Sequence, residues 1–166
     1  MSKDVSNYVI GVLQQDKSRV DKELLLTAMF LVEKWKKNMI SGPDEKLTEL
    51  LEKEEFDPEA MEYLRQLLVE FASTTDSLEL LQSTITTLNV FQDKRHIPLY
   101  QTWLFNHAKK LTMHNAIMSS ILFGLEKIGE DVIKLNRKSW SAADMEVNLG
   151  YARSYLKDKL GLSVPY

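Results

Sequence analysis

Apolar residues recur along this chain at spacings of three and four, and no stretch sustains a period-two alternation, so the pattern specifies α-helices from end to end. The first predicted helix covers Val5 to Gln14, with Tyr8, Val9, Val12 and Leu13 on its apolar side. A second starts near Asp21 and presents Leu24, Leu25, Met29, Phe30, Val32 and Trp35. Ser41-Gly42-Pro43 ends it, because a residue preceding proline is pushed out of the α region. A short third helix, Asp44 to Lys53, carries Leu47, Leu50 and Leu51. Asp57-Pro58 reads as an N-cap with proline at the first helical position, opening a helix through Phe71 whose core side is Met61, Leu64, Leu67, Leu68 and Phe71.

Asp76 with Glu79 resembles a capping box at the start of a helix bearing Leu80, Leu81, Ile85 and Leu88. The next helix begins at Ile97-Pro98 and uses Leu99, Trp103 and Leu104. Another runs from His114 to Ile128, with Gly129 placed for a left-handed cap. A short helix near Asp131 to Leu135 follows; Ser141 with Asp144 then caps a final helix that reaches Leu160 and stops at Gly161. The expectation is one all-α domain over residues 1–166. It would hold about nine short to medium helices, stacked as helix pairs in an α-solenoid or an irregular bundle. Pairing is clearest over 76–138.

The segment from Leu88 to Leu104 resembles the turn of a HEAT-type helical repeat. Asp93 stands at the turn acid, Arg95 at the basic position, and Ile97, Leu99 and Leu104 at the inward positions of the second helix. A weaker echo runs from Leu125 to Leu135. Gln92 stands where the family often has glycine, and Val132 where the echo would need a basic residue. The resemblance covers the second half of the chain and implies a curved helical stack that presents a surface to a partner.

Composition narrows the chemistry. The absence of cysteine excludes disulfides, thiolate metal sites and cysteine nucleophiles, and suits a reducing, cytoplasmic setting. The longest apolar stretch, Leu24 to Val32, is interrupted by Thr27 and meets Glu33 and Lys34, so no membrane span is expected. The apolar run Tyr8 to Leu13 is too short, and lacks the basic flank, for a secretory signal.

Charge is uneven: the balance is −5 through Ala72 and +2 from Ser73 onward. The acidity concentrates in Asp44, Glu45, Glu49, Glu52, Glu54, Glu55, Asp57, Glu59 and Glu62, opposed within those 19 residues only by Lys46 and Lys53. Two readings stand side by side. Acids are favoured near helix starts by the helix dipole, so the run can be a solvated face. A dense patch of one sign is also a docking surface that steers a cationic protein. A calcium loop is not supported, because Glu54-Glu55-Phe56-Asp57 lacks the spaced oxygen ligands and the glycine such loops need. Phosphate binding is disfavoured too, since the best basic cluster of the first half, Lys34, Lys36 and Lys37, lies at a helix end where lysines cap.

No phosphate-loop, dinucleotide or hydrolase-elbow motif occurs, and the three histidines, His96, His107 and His114, show no metal-ligand spacing. Each histidine is expected at the surface or in a cap. No catalytic residue, cofactor or metal is assigned. Trp103 is expected in the core. Trp140, in the polar connection Lys138 to Ser141, is expected either to plug the last helix onto the stack or to face a partner. Of Tyr151 and Tyr155, four apart on the final helix, one is expected to be exposed as contact material.

The leading expectation is therefore a non-enzymatic protein-binding module. In general character it is similar to bacterial immunity proteins that neutralise a cognate, basic toxin. Its contact set would be the nine acids together with Trp140 and Tyr151. Two other classes stay open. One is a HEAT-like DNA glycosylase using Trp103, Trp140 and Asp144, which the acidic pI of about 5.7 disfavours. The other is a helical scaffold subunit of a larger assembly, with Met113, Met118 and Met145 on apolar faces.

Overall fold

The computed structural model describes residues 11, 22–35, 58–108, 115–132 and 145–164. Among them all regular structure is helical. The helices are α1 (Lys22–Trp35), α2 (Pro58–Thr74), α3 (Leu78–Phe91), α4 (Ile97–Ala108), α5 (Asn115–Ile128) and α6 (Met145–Leu160), with one 3-10 turn at Lys94–His96. The expected short helix at 44–53, most of those at 5–14 and 131–135, and the cap at 141–144 lie outside the described residues, as does Asp57. The chain divides into two compact units, 1–91 and 92–166.

In the first unit α3 packs against both α1 and α2. A helix with two neighbours needs more than one apolar stripe, and α3 supplies it with Leu81, Ile85, Leu88 and Phe91 beside Thr84 and Thr87, all buried. The two threonines enter the core at little cost because each hydroxyl donates to the carbonyl one turn back, Thr84 to Leu80 at 2.7 Å and Thr87 to Ser83 at 3.0 Å. From α1 the unit receives Leu24, Leu25, Ala28, Phe30, Leu31 and Val32, and from α2 Met61, Leu64, Leu68, Phe71 and Ala72. Proline opens α2 as the sequence implies, but the helix runs to Thr74 rather than Phe71, and Leu67 is only half-buried. Its last turn is held by Ser73 and Thr74 hydroxyls that donate to the Val69 and Glu70 carbonyls.

The start of α3 corrects the expected capping box by one residue. The Ser77 hydroxyl, not Asp76, accepts from a backbone N–H of the first turn, that of Leu80 at 3.3 Å. Thr75 Oγ1 in turn accepts from the Ser77 N–H at 3.2 Å. A hydroxyl three residues ahead of an unsatisfied N–H is the geometry an N-cap requires, and with the helix starting at Leu78 only Ser77 occupies it.

In the second unit α5 packs on both α4 and α6, and α4 also meets α6. Ile117, Met118, Ile121, Leu122 and Leu125 of α5 fill the space between them with Leu104 and Ala108 of α4 and Leu149, Ala152 and Leu156 of α6. Gly129 ends α5 as expected. Its φ of +103° lets its N–H reach the Glu126 carbonyl and the Glu130 N–H reach that of Leu125, each at 3.0 Å. Gly161 stops α6 in the same left-handed region.

The turn that resembles a helical repeat is closed by Asp93. Its carboxylate accepts from the Arg95 N–H at 2.9 Å and from Arg95 Nε at 3.0 Å, which starts the 3-10 turn leading into α4. Gln92, at the position glycine often takes, has φ of +49°. The inward face of α4 differs from the expected Ile97, Leu99 and Leu104. Leu104 is buried, Ile97 and Leu99 are half-buried, and the buried stripe is His96, Tyr100, Trp103, Leu104 and His107. The 3-10 turn rotates the start of α4, so the helical spacing of four runs from His96 instead of Ile97. His96 and His107 are thus core residues, correcting their expected surface placement, and the His96 and Tyr100 rings lie 5.8 Å apart.

Two outcomes follow for this turn. Gln92→Gly relieves a left-handed backbone that disfavours a side chain and is expected to raise stability by about 0.5 kcal/mol after the entropy cost of glycine, measured by urea denaturation. Asp93→Ala removes the cap and is expected to cost about 1 kcal/mol. The Arg95 hydrogen bonds hold the Asp93 carboxyl at about 2, below its ordinary 3.8. A depressed folded value means the contribution is complete above 3.8 and is lost as pH falls through about 2. The difference between wild type and Asp93→Ala should therefore shrink between pH 4 and pH 2, which denaturation at a series of pH values checks.

Candidate functional site

Of the residues expected to form a contact surface, Asp44, Glu45, Glu49, Glu52, Glu54, Glu55, Asp57 and Trp140 lie outside the described residues. Glu59 and Glu62 are on α2. Glu59 is exposed in the first turn. Glu62 is half-exposed and is engaged by Arg65, whose Nε and Nη2 donate to its two oxygens at 3.1 and 2.8 Å. This fork neutralises Glu62 and explains how Arg65 can be buried one turn on, with its charge matched by a carboxylate at the surface. Glu62 therefore adds less to an acidic field than its formal charge suggests.

The α2 face pointing away from the core carries Glu59, Tyr63, Gln66, Glu70 and Ser73. Tyr63 is the notable member, 41% exposed and set between Glu59 one turn before and Glu70 two turns after. Tyr63 lies outside the contact set expected from the sequence. Its signal was the offset from the apolar stripe, since Tyr63 sits two positions beyond Met61 and one before Leu64, where an α-helix faces outward.

Tyr151 corrects an expectation. It is 4% exposed and Tyr155 is 1% exposed, so neither phenol is surface contact material. Helix α6 packs against both α4 and α5 and buries a wider arc than a helix with one neighbour, which carries both tyrosines inward.

Tyr155 instead centres a polar clasp in the second unit. Its hydroxyl donates to Glu130 Oε2 at 2.7 Å and accepts from Gln101 Nε2 at 3.0 Å. Lys159 Nζ lies 3.9 Å from the same glutamate oxygen. Gln101 is on α4, Glu130 follows the glycine cap of α5, and Tyr155 and Lys159 are on α6, so one hydroxyl joins three elements. Burial pushes the Tyr155 phenol well above its ordinary value of 10, and the bond to Glu130 adds to that against the opposing bond from Gln101. A neutral phenol with donor and acceptor both engaged braces the helices and is poorly suited to proton abstraction. A second, part-buried bond, Asn148 Nδ2 to Asn115 Oδ1 at 2.9 Å, ties α6 to the first residue of α5.

Trp103 is buried on α4, as expected. Among the described residues no group of three His, Asp or Glu side chains is placed to hold a metal ion, and no helix is long and apolar enough to cross a membrane. A shallow groove of about 230 Å³ opens between α1 and α3, lined by Leu25, Met29, Glu79, Gln82, Ser83, Thr86 and Thr87. Comparison with protein-family models, curated proteins and solved structures returns no match.

Proposed function

We propose that this chain is a protein-binding module without catalytic activity of its own, and that its partner is a cationic protein. The carrying observation is the outward face of α2, where exposed Glu59 and Glu70 flank an exposed aromatic, Tyr63. This helix directly follows the acidic run Asp44 to Asp57 in the chain. Carboxylates around an aromatic supply the two parts of a specific interface, long-range attraction and a contact able to exclude water. Neutralisation of a basic bacterial toxin, in the manner of immunity proteins, is the biological role that such a surface on a small acidic helical protein would serve.

The test uses a cationic nuclease domain as the probe. Replacing Glu49, Glu52, Glu55 and Glu59 together with serine is expected to leave the circular dichroism spectrum unchanged. At low ionic strength the same replacement should slow association about tenfold, with the difference fading as salt rises. Stopped-flow association rates unaffected by the four replacements and by salt would remove the proposal.

A further inference from the structure

Helix α6 is docked by a different balance of groups from its neighbours. Its described aliphatic residues in the core are Leu149, Ala152 and Leu156. The rest of its buried side is amide and phenol: Asn148, Tyr151 and Tyr155, on successive turns of one face. Asn148 is partnered by Asn115, and Tyr155 by Glu130 and Gln101. Tyr151 differs from both. Its hydroxyl oxygen is buried, in a residue only 4% exposed, and has no hydrogen-bond partner among the described residues. A hydroxyl that loses water and gains no partner penalises the docked state alone, because release of the helix returns it to water. Gly150 adds a second weakness. It lies on the exposed side in mid-helix, where a Cβ would meet open space, so no close approach requires glycine there. Alanine at that position would favour the helix more. The C-terminal turn is unsealed as well, since residues 157–160 are all exposed. A helix of 16 residues with these features is marginal once it leaves its neighbours.

We propose that α6 is a detachable helix, which leaves α4 and α5 in a local opening and unravels as it does so. The second unit then alternates between a sealed form and an open form in which the surface of α5 beneath α6 meets water. The Tyr151 hydroxyl favours the open form. The bonds made by Asn148 and Tyr155 favour the sealed one, so the two tyrosines of one face act in opposite directions. This device does not depend on the partner proposed above.

The experiment is native-state hydrogen exchange on the full chain, followed amide by amide by NMR at several urea concentrations below the unfolding midpoint. After correction for intrinsic rates, the amides of Ala152 to Leu156 are expected to exchange about tenfold or more faster than those of Ile121 to Leu125. Their urea dependence should also be weaker, because a local opening exposes less surface than global unfolding. Tyr151→Phe keeps the ring and should slow exchange in α6 about tenfold. Tyr155→Phe, which removes a satisfied hydroxyl from the same face, should speed it by about the same factor. Gly150→Ala should slow it about threefold if the released helix unravels. A single rate and a single urea dependence for α5 and α6 would overturn the proposal, since the unit would then open only as a whole. Exchange in Tyr151→Phe at the wild-type rate or faster would overturn it too, because the hydroxyl would then be satisfied in the docked state. An unaltered rate in Gly150→Ala would overturn the unravelling.

Discussion

Truncating Leu122 to alanine is expected to cost about 2–5 kcal/mol, the largest effect of any single change considered for this protein. Leu122 is fully buried on α5, the helix that packs against both α4 and α6. Removing its three carbons opens a cavity that neighbours on two sides cannot both move to fill. The loss combines the transfer of the missing atoms with the contacts that the cavity walls forfeit. Urea denaturation followed by circular dichroism reads the effect as a lower midpoint. A loss under 1 kcal/mol would mean that the α4–α5–α6 packing is looser than described. Leu122→Met, which conserves volume, should cost less than about 1.5 kcal/mol, and this separates the cavity from a general intolerance of substitution.

Tyr155→Phe is expected to destabilise the protein by about 1–3 kcal/mol, more than deletion of an ordinary exposed hydrogen bond. The ring is kept, so packing barely changes. What is lost is the hydroxyl that satisfies Gln101 and Glu130 together. The penalty comes from the groups left behind, chiefly a partly shielded carboxylate stripped of its closest donor. A pH signature accompanies it. The folded-state value of Tyr155 is raised above its ordinary 10, so its contribution is complete below pH 10 and is lost as pH rises beyond it. Wild type should therefore lose stability above pH 10, and Tyr155→Phe should lose less over the same range. Some alkaline loss should persist in the variant, because burial raises the Tyr100 phenol in the same direction. Identical alkaline profiles would show that the Tyr155 hydroxyl is not held as described.

The clasp and the turn at Asp93 differ in how far they could be read in advance. Asp93 and Arg95 are two residues apart, and the Asp-x-Arg pattern carries its own geometry: a short carboxylate reaches back to a nearby N–H and the arginine folds onto it. The clasp unites Gln101, Glu130 and Tyr155, separated by up to 54 residues, and no local pattern marks them as partners. The same contrast holds for the histidines. A histidine reads as polar when its neighbours in the chain are Arg95 and Ile97, but the tertiary arrangement surrounds His96 with Tyr100 and the interior of its unit.

The candidate surface shows the same division. That the chain is acidic in one stretch is a property of composition. That Glu62 spends its charge on Arg65 while Glu59 and Glu70 face outward with Tyr63 depends on which arc of α2 meets α3. Tyr151 makes the converse point: its spacing on α6 is compatible with exposure until a second neighbouring helix widens the buried arc.

Local pattern along the chain was enough for the all-helical class of the described residues, the proline start of α2, the glycine stops of α5 and α6, and most of the apolar stripes. These are matters of backbone preference and of periodicity within a few turns, where cause and effect lie close together along the chain. Packing between distant segments set which described helix takes a central place in each unit, that α6 turns both tyrosines inward, and that a threonine-rich face of α3 borders an open groove. Those outcomes depend on contacts between residues far apart in sequence, and a helix cannot specify the width of its own buried face before its neighbours are in place.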